Sequence, residues 1–135
     1  MVVGMNRPFL TLAAWLGASA VALGAFGAHG LKGYLSSVDA EGVRIGWWNT
    51  AAHYHLCHAL ALGLCAATAG SSRAAQVSRA SFALGIAIFS GTLYAMALTG
   101  VRWLGAVTPI GGALLIVAWL AFGIAVRRPA ALDTK

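Results

Sequence analysis

The sequence predicts an all-α fold, an integral membrane bundle of four transmembrane helices with both termini cytoplasmic. Three observations carry this. First, 60% of the residues are hydrophobic and 9% charged, whereas about a quarter of the residues in soluble domains are charged. Second, the nine basic and three acidic residues all avoid four long stretches, each meeting the roughly 20 helical residues that cross a hydrocarbon core of about 30 Å. Third, the basic residues divide unevenly. Arg7, Arg73, Arg79, Arg127, Arg128 and Lys135 fall on the side shared by both termini, and Lys32, Arg44 and Arg102 on the other. The more basic side stays in the cytoplasm, which orients the bundle. In lipid the backbone must satisfy its own hydrogen bonds, and no alternating barrel pattern is visible, so helices are the spanning form.

The helices are expected at about 9–31, 46–70, 80–101 and 104–126, in a single domain over 1–135. Arg7 before an apolar run ending in "ALGAFGAHG" has the outline of a secretory leader. The run is longer than the usual apolar core of about 7–15 residues, which favours a retained first helix. Small residues recur on it at four-residue spacing, Ala13 with Gly17, then Ala20, Gly24 and Ala28, a pattern that lets helices approach closely. The longest connection follows, "KGYLSSVDAEGVRIG", with Asp39 and Glu41. Trp47 and Trp48 mark the outer boundary of the second helix, because indole favours the headgroup level. The segment "GSSRAAQVSR" reads as a short polar hairpin, and the third helix carries another small face, Ala87, Gly91 and Ala95. The fourth starts at Thr108-Pro109, a capping residue followed by proline where a missing N–H costs nothing. The alternative is a longer helix kinked at Pro109.

Within the second helix, "WWNTAAHYHLCHALALG" places His53, His55, Cys57 and His58 in six residues. At about 100° per residue, Asn49, His53 and Cys57 share one face, Tyr54 and His58 the next, and His55 points nearly opposite His53. One straight helix cannot aim all three histidines at one ion. A metal site therefore draws on His29 or a second subunit, and its candidate ligands are His29, His53, Cys57 and His58, with imidazole and thiolate suited to copper or zinc. A proton relay through His58, Tyr94 and Tyr54 is a second functional reading. A third is that these groups simply bond across helices, at about 0.6 kcal/mol each. Counting residues from the outer boundary puts Tyr94 level with His53 and Ser90 level with His58, with His29 and Thr108 at the mouth. Cys57 and Cys65 lie about 12 Å apart along the helix and form no intrachain disulfide.

Other chemistry has no sequence support. There is no intramembrane carboxylate pair, no HExxH, no GxSxG and no phosphate-binding glycine loop. The sequence predicts no enzyme and calls for no cofactor. The excess of basic residues lies in loops and tails without interleaved aromatics, so no nucleic-acid partner is expected. A bundle this rich in small residues is expected to pack shut, which disfavours a channel.

Three ordered stretches, "VALGAFGAHGL", "NTAAHYHLCHALAL" and "FSGTLYAMALTGVRWLGAVTPIGG", resemble the YgdD/YwdK-like small membrane proteins. That family is also known as the transmembrane protein 256 family, or domain of unknown function 423. The match falls on Gly24, Gly27, His29, Tyr54, His58, Ser90, Gly91, Tyr94, Thr108, Pro109, Gly111 and Gly112. His53 and His55 depart from the family pattern, which more often has an acidic residue and glutamine there. The resemblance implies a four-helix protein of the bacterial inner membrane with no established activity. It also implies a shared polar centre of His29, Tyr54, His58, Ser90, Tyr94 and Thr108. The expected role is that of a structural or accessory membrane protein, embedded in the bilayer and associating with itself or another membrane protein. The alternative is a binder or carrier of a metal ion, proton or small molecule.

Overall fold

The computed structural model describes residues 5–39 and 41–127, and among these every regular element is helical. Four long helices follow one another: α1 (Arg7–Leu35), α2 (Val43–Thr68), α3 (Arg73–Thr99) and α4 (Thr108–Ala125), with a 3₁₀ segment, Arg102–Ala106, leading into α4. Each packs on its chain neighbour, α1 on α2, α2 on α3 and α3 on α4. The α1–α2 and α3–α4 connections share one end, called here the upper end.

Three of the segments, Arg7–Leu35, Arg73–Thr99 and Arg102–Ala125, are long and apolar enough to cross a membrane. The 26-residue α2 is long enough, at about 39 Å, but less apolar, because Asn49 and three histidines interrupt it.

α1 starts where Asn6 Oδ1 accepts from the Phe9 N–H (3.3 Å), and the Asn6 N–H donates to the Ala66 carbonyl (2.9 Å), fastening the segment to the end of α2. Near its upper end α1 widens into a π turn over Gly27–Leu31, then continues through Lys32–Leu35. Trp48 Nε1 donates to the Leu23 carbonyl at 2.9 Å, and a Cβ at Gly27 would fall inside the Trp48 indole. The Leu23 carbonyl is shared, since it also accepts from the Gly27 N–H where the regular α turns end, and the indole packs against the helix where it widens. Beyond the turn Leu31 and Leu35 face inward and cluster with Trp48 and Ala97. Trp48 is thus a core residue, 2% exposed, and not the headgroup anchor expected from its position.

Gly42, at φ +69°, precedes α2, and Asp39 accepts from the Arg44 N–H at 2.7 Å. The Arg44 guanidinium reaches the far side of the connection, donating to the Ala97 carbonyl at 2.7 Å and to that of Leu98. A cation there also complements the negative end of the α3 dipole.

The expected hairpin "GSSRAAQVSR" is mostly helix. Ser72 caps α3 by accepting from the Ala75 N–H (3.2 Å), and the helix starts at Arg73 instead of residue 80. The polar residues of that stretch are accommodated by inter-element bonds. Ser78 donates to the Ala118 carbonyl of α4 (2.9 Å) and receives Cys65 Sγ–H from α2 (3.4 Å). Arg79 is 1% exposed, donates to the Gly70 carbonyl (2.8 Å) and lies over the Phe9 ring (5.7 Å).

The small-residue faces also divide. On α1 only Ala13 and Ala20 of the expected set are buried, while Gly17 and Gly24 adjoin open space and Ala28 is exposed. On α3 Ala87 and Gly91 point outward, because Ser78, Phe82, Gly85 and Ile86 face the core instead. The tight α3–α4 approach comes from Gly111, where a Cβ would meet the Phe89 backbone, 2.8 Å from its Cα. α4 begins at Thr108 with Pro109 in its first turn. Thr108 does not cap through its side chain; its hydroxyl donates to the Leu104 carbonyl (3.2 Å) and pairs with Thr92 Oγ1 (2.8 Å).

Candidate functional site

The histidine-rich stretch lies near the middle of α2, and the helix distributes its side chains by angle. Tyr54 and His58, one turn apart, stack with ring centroids 5.5 Å apart. Beneath them α3 supplies an aromatic floor, with Phe89 4.5 Å from Tyr54 and Phe82 6.1 Å from His58. Trp119 of α4 closes the far side, 6.4 Å from His58 and edge-on to Phe82 at 5.3 Å. His53, Tyr54, Cys57, His58 and Trp119 line a groove of about 380 Å³ between α2 and α4.

His58 Nδ1 lies 2.7 Å from the Tyr54 carbonyl. A carbonyl only accepts, so the proton sits on Nδ1 and Nε2 keeps the lone pair. His53 Nε2 and Cys57 Sγ are 3.8 Å apart, both side chains exposed on the groove. Their common face is the one expected from the helical angle.

His55 turns the other way, into the α2–α3 interface. It is 6% exposed, and its Nδ1 lies 3.4 Å from the Tyr94 hydroxyl, while its Nε2 is buried without a hydrogen-bond partner. Tyr94 in turn packs on Trp48, with centroids 4.6 Å apart. Ser90 is 1% exposed and its hydroxyl has no hydrogen-bond partner among the described residues.

The six residues expected as one polar centre therefore occupy separate places. Tyr54 and His58 meet in the groove; Tyr94 pairs with His55; Ser90 is isolated; Thr108 pairs with Thr92. His29 is exposed on the π turn and does not line the groove. The relay through His58, Tyr94 and Tyr54 is not assembled among the described residues, because the Tyr94 hydroxyl pairs with His55 and His58 Nδ1 is held on the Tyr54 carbonyl. Of the four metal candidates, His53, Cys57 and His58 share the groove and His29 does not join them. Among the described residues no group of three or more His, Cys, Asp or Glu gathers as a metal cluster.

One participant, Trp119, is not among the residues that the sequence motifs single out. The depth count applied to α3 finds it, since Trp119 is as far below Thr108 as His58 is below Trp47, about 16 Å. His55 is expected from the helical angle to point nearly opposite His53, but no signal in the sequence marks it as the histidine to be buried.

The family profile described as "Protein of unknown function (DUF423)" matches residues 23–112. The chain is 44% identical to a UPF0382 membrane protein of Staphylococcus epidermidis, over 88% of this chain and 94% of that one. It is 38% identical to the UPF0382 membrane protein YwdK of Bacillus subtilis (88% and 95% covered). It is 39% identical to the UPF0382 inner membrane protein YgdD of Escherichia coli (84% and 85% covered). No solved structure matches the chain. The profile match spans the π turn, the histidine stretch and the close approach at Gly111, and the chain belongs to the DUF423 (UPF0382) family of membrane proteins of unknown function.

Proposed function

We propose that this protein is a structural or accessory component of the bacterial inner membrane. In this reading it crosses the bilayer four times, catalyses no reaction, needs no cofactor, and associates with a second copy or with another membrane protein. The observation that carries the reading is the outward face of α3. Ala80, Leu84, Ala87 and Gly91 are all exposed, and nothing lies within 4 Å of a Cβ at Gly91. Small residues on an outward face leave room for another helix backbone to come close, which is what drives association in lipid.

The fourth span is α2. Its polar residues are tolerable in lipid because α1 and α3 flank it, and intramembrane polar groups face protein or a cavity. Arg7, Arg73, Arg79 and Arg127 lie at the lower end, Lys32, Arg44 and Arg102 at the upper. That balance supports cytoplasmic termini. Arg128 and Lys135, which add to it in the sequence, lie outside the described residues. The name of the Escherichia coli relative supports the inner membrane.

Crosslinking tests the association. Gly91→Cys, in a chain with Cys57→Ser and Cys65→Ser, is oxidised or treated with a short bifunctional reagent in native membranes. The expected result is a dimer or a defined heteromer from Gly91→Cys and from Ala87→Cys. Lone monomers from both would overturn the reading.

A further inference from the structure

We propose that His53 and Cys57 form a two-coordinate site for a soft monovalent ion of the Cu(I) class, opening on the groove between α2 and α4. The two residues lie one turn apart on the same face, with His53 Nε2 3.8 Å from Cys57 Sγ. Bond lengths of about 2.0–2.1 Å to an imidazole nitrogen and about 2.3 Å to a thiolate hold the two donors about 3.6 Å apart at a tetrahedral angle and about 4.3 Å apart when collinear. A two-coordinate d¹⁰ ion favours the collinear arrangement, so binding requires the exposed His53 and Cys57 side chains to open from the observed 3.8 Å by about 0.5 Å.

The donor count selects the ion. Zinc in a structural site takes four ligands, and no third His, Cys, Asp or Glu joins this pair among the described residues. Calcium and magnesium require oxygen donors, which the pair lacks. A thiolate with one imidazole is a soft set, and a d¹⁰ monovalent ion is satisfied by few ligands.

Charge points the same way. Binding replaces the thiol proton: Cys57 S–H and Cu(I) give a Cys57 S–Cu bond and one proton released to water, while neutral His53 donates its Nε2 lone pair. No electron is exchanged, since the ion arrives as Cu(I). Thiolate and monovalent cation cancel, leaving a neutral unit at a depth where a net charge is costly. A divalent ion on the same pair would leave a positive charge there. Asn49 and Thr50, exposed one turn above His53, give an arriving ion polar contacts. His58 belongs to the aromatic wall, stacked on Tyr54, and does not gather with the pair as a third ligand among the described residues.

The site does not depend on the proposed association, and the two fail separately. The test is anaerobic titration of the purified full-length chain in detergent with Cu(I), in competition with a coloured Cu(I) chelator. The expected result is one Cu(I) per chain, lost in Cys57→Ser and in His53→Ala and retained in Cys65→Ser, whose thiol is buried on Ser78. X-ray absorption of the loaded protein should show one sulfur and one nitrogen neighbour. Because His53 and Cys57 are exposed, their variants are expected to elute and melt like the unsubstituted protein without metal. If the chelator strips the protein completely, or Cys57→Ser binds as well as the unsubstituted chain, the contact is only a thiol–imidazole hydrogen bond and the proposal fails.

Discussion

Where α4 meets α3, at Gly111 and Phe89, the backbones lie so close that a single added carbon would strike main-chain atoms. Where α4 faces α2, at Trp119 and His53, about 380 Å³ stands open. One helix thus has a closed side and an open side, although both neighbours are helices of the same bundle. In lipid no water-driven force draws helices together, so contact follows from how closely the surfaces fit. The closed seam has a glycine, a backbone carbonyl that takes Ser78, and the Thr92–Thr108 hydroxyl pair. The open side is built from rings, Tyr54, His58 and Trp119, whose bulk holds α2 and α4 apart.

Breaking the seam should have the largest effect. Gly111→Ala places its Cβ against the Phe89 backbone, which cannot rotate away as a side chain can. A loss of about 1–3 kcal/mol is expected, read as a lower unfolding midpoint in detergent by circular dichroism. Gly112→Ala is the internal control, since its Cβ meets only the Phe89 ring at 3.6 Å. Equal losses from the two neighbours would mean that the seam is not set by backbone approach.

The next effect belongs to the wide turn of α1. Trp48→Phe keeps an aromatic ring but removes the N–H that holds the Leu23 carbonyl. The expected loss is about 0.5–1.5 kcal/mol, the net worth of one hydrogen bond. Amide exchange across Gly27–Leu31 should change with it, as the indole N–H no longer shares the Leu23 carbonyl with the Gly27 N–H. Unchanged exchange there would separate Trp48 from the π turn.

How much of this was legible follows from what each signal measures. Charge avoidance reports what lipid excludes; it pointed to four helical stretches, and the described residues hold four long helices, three of them long and apolar enough to cross a membrane. It misplaced the start of α3 because Arg79 was counted as a loop charge, whereas a guanidinium that finds the Gly70 carbonyl and the Phe9 ring can lie inside a helix. Spacing in fours reports that a face is small, not which way it points. Ala13 and Ala20 turned inward, while Ala87 and Gly91 turned outward. Helical angle paired His53 with Cys57 and separated His55 from both, because those relations are internal to α2. Partners on other helices, Trp119 for His58 and Leu23 for Trp48, depend on how helices rotate against one another, and one sequence does not specify that.

A smaller effect is expected at the α2–α3 interface. Tyr94→Phe removes the hydroxyl that His55 Nδ1 contacts at 3.4 Å. The bond is long and the ring's packing on Trp48 survives, so the loss should be about 0.6 kcal/mol, the average for such bonds in membrane bundles. A loss several times larger would show that the buried His55 depends on that hydroxyl more than the geometry indicates, and would move the polar centre of the protein from the groove to this interface.

The open side should be the most tolerant, and there the comparison with the seam is sharpest. His53 is exposed, with a side-chain contact to Cys57 at 3.8 Å and an edge contact to the Tyr54 ring, so His53→Leu should change metal-free stability by no more than about 0.5 kcal/mol. With Cu(I) present the two proteins should diverge. A ligand that binds only the folded chain raises its unfolding midpoint by mass action, so the unsubstituted protein should gain thermal stability and His53→Leu should gain none. If His53→Leu destabilises the metal-free protein as much as Gly111→Ala does, the groove is part of the structural framework and its openness does not mark it for a ligand. If the variant is neutral without metal and unresponsive with it, the groove is a surface kept open at little cost to stability, free to bind because the fold is held elsewhere.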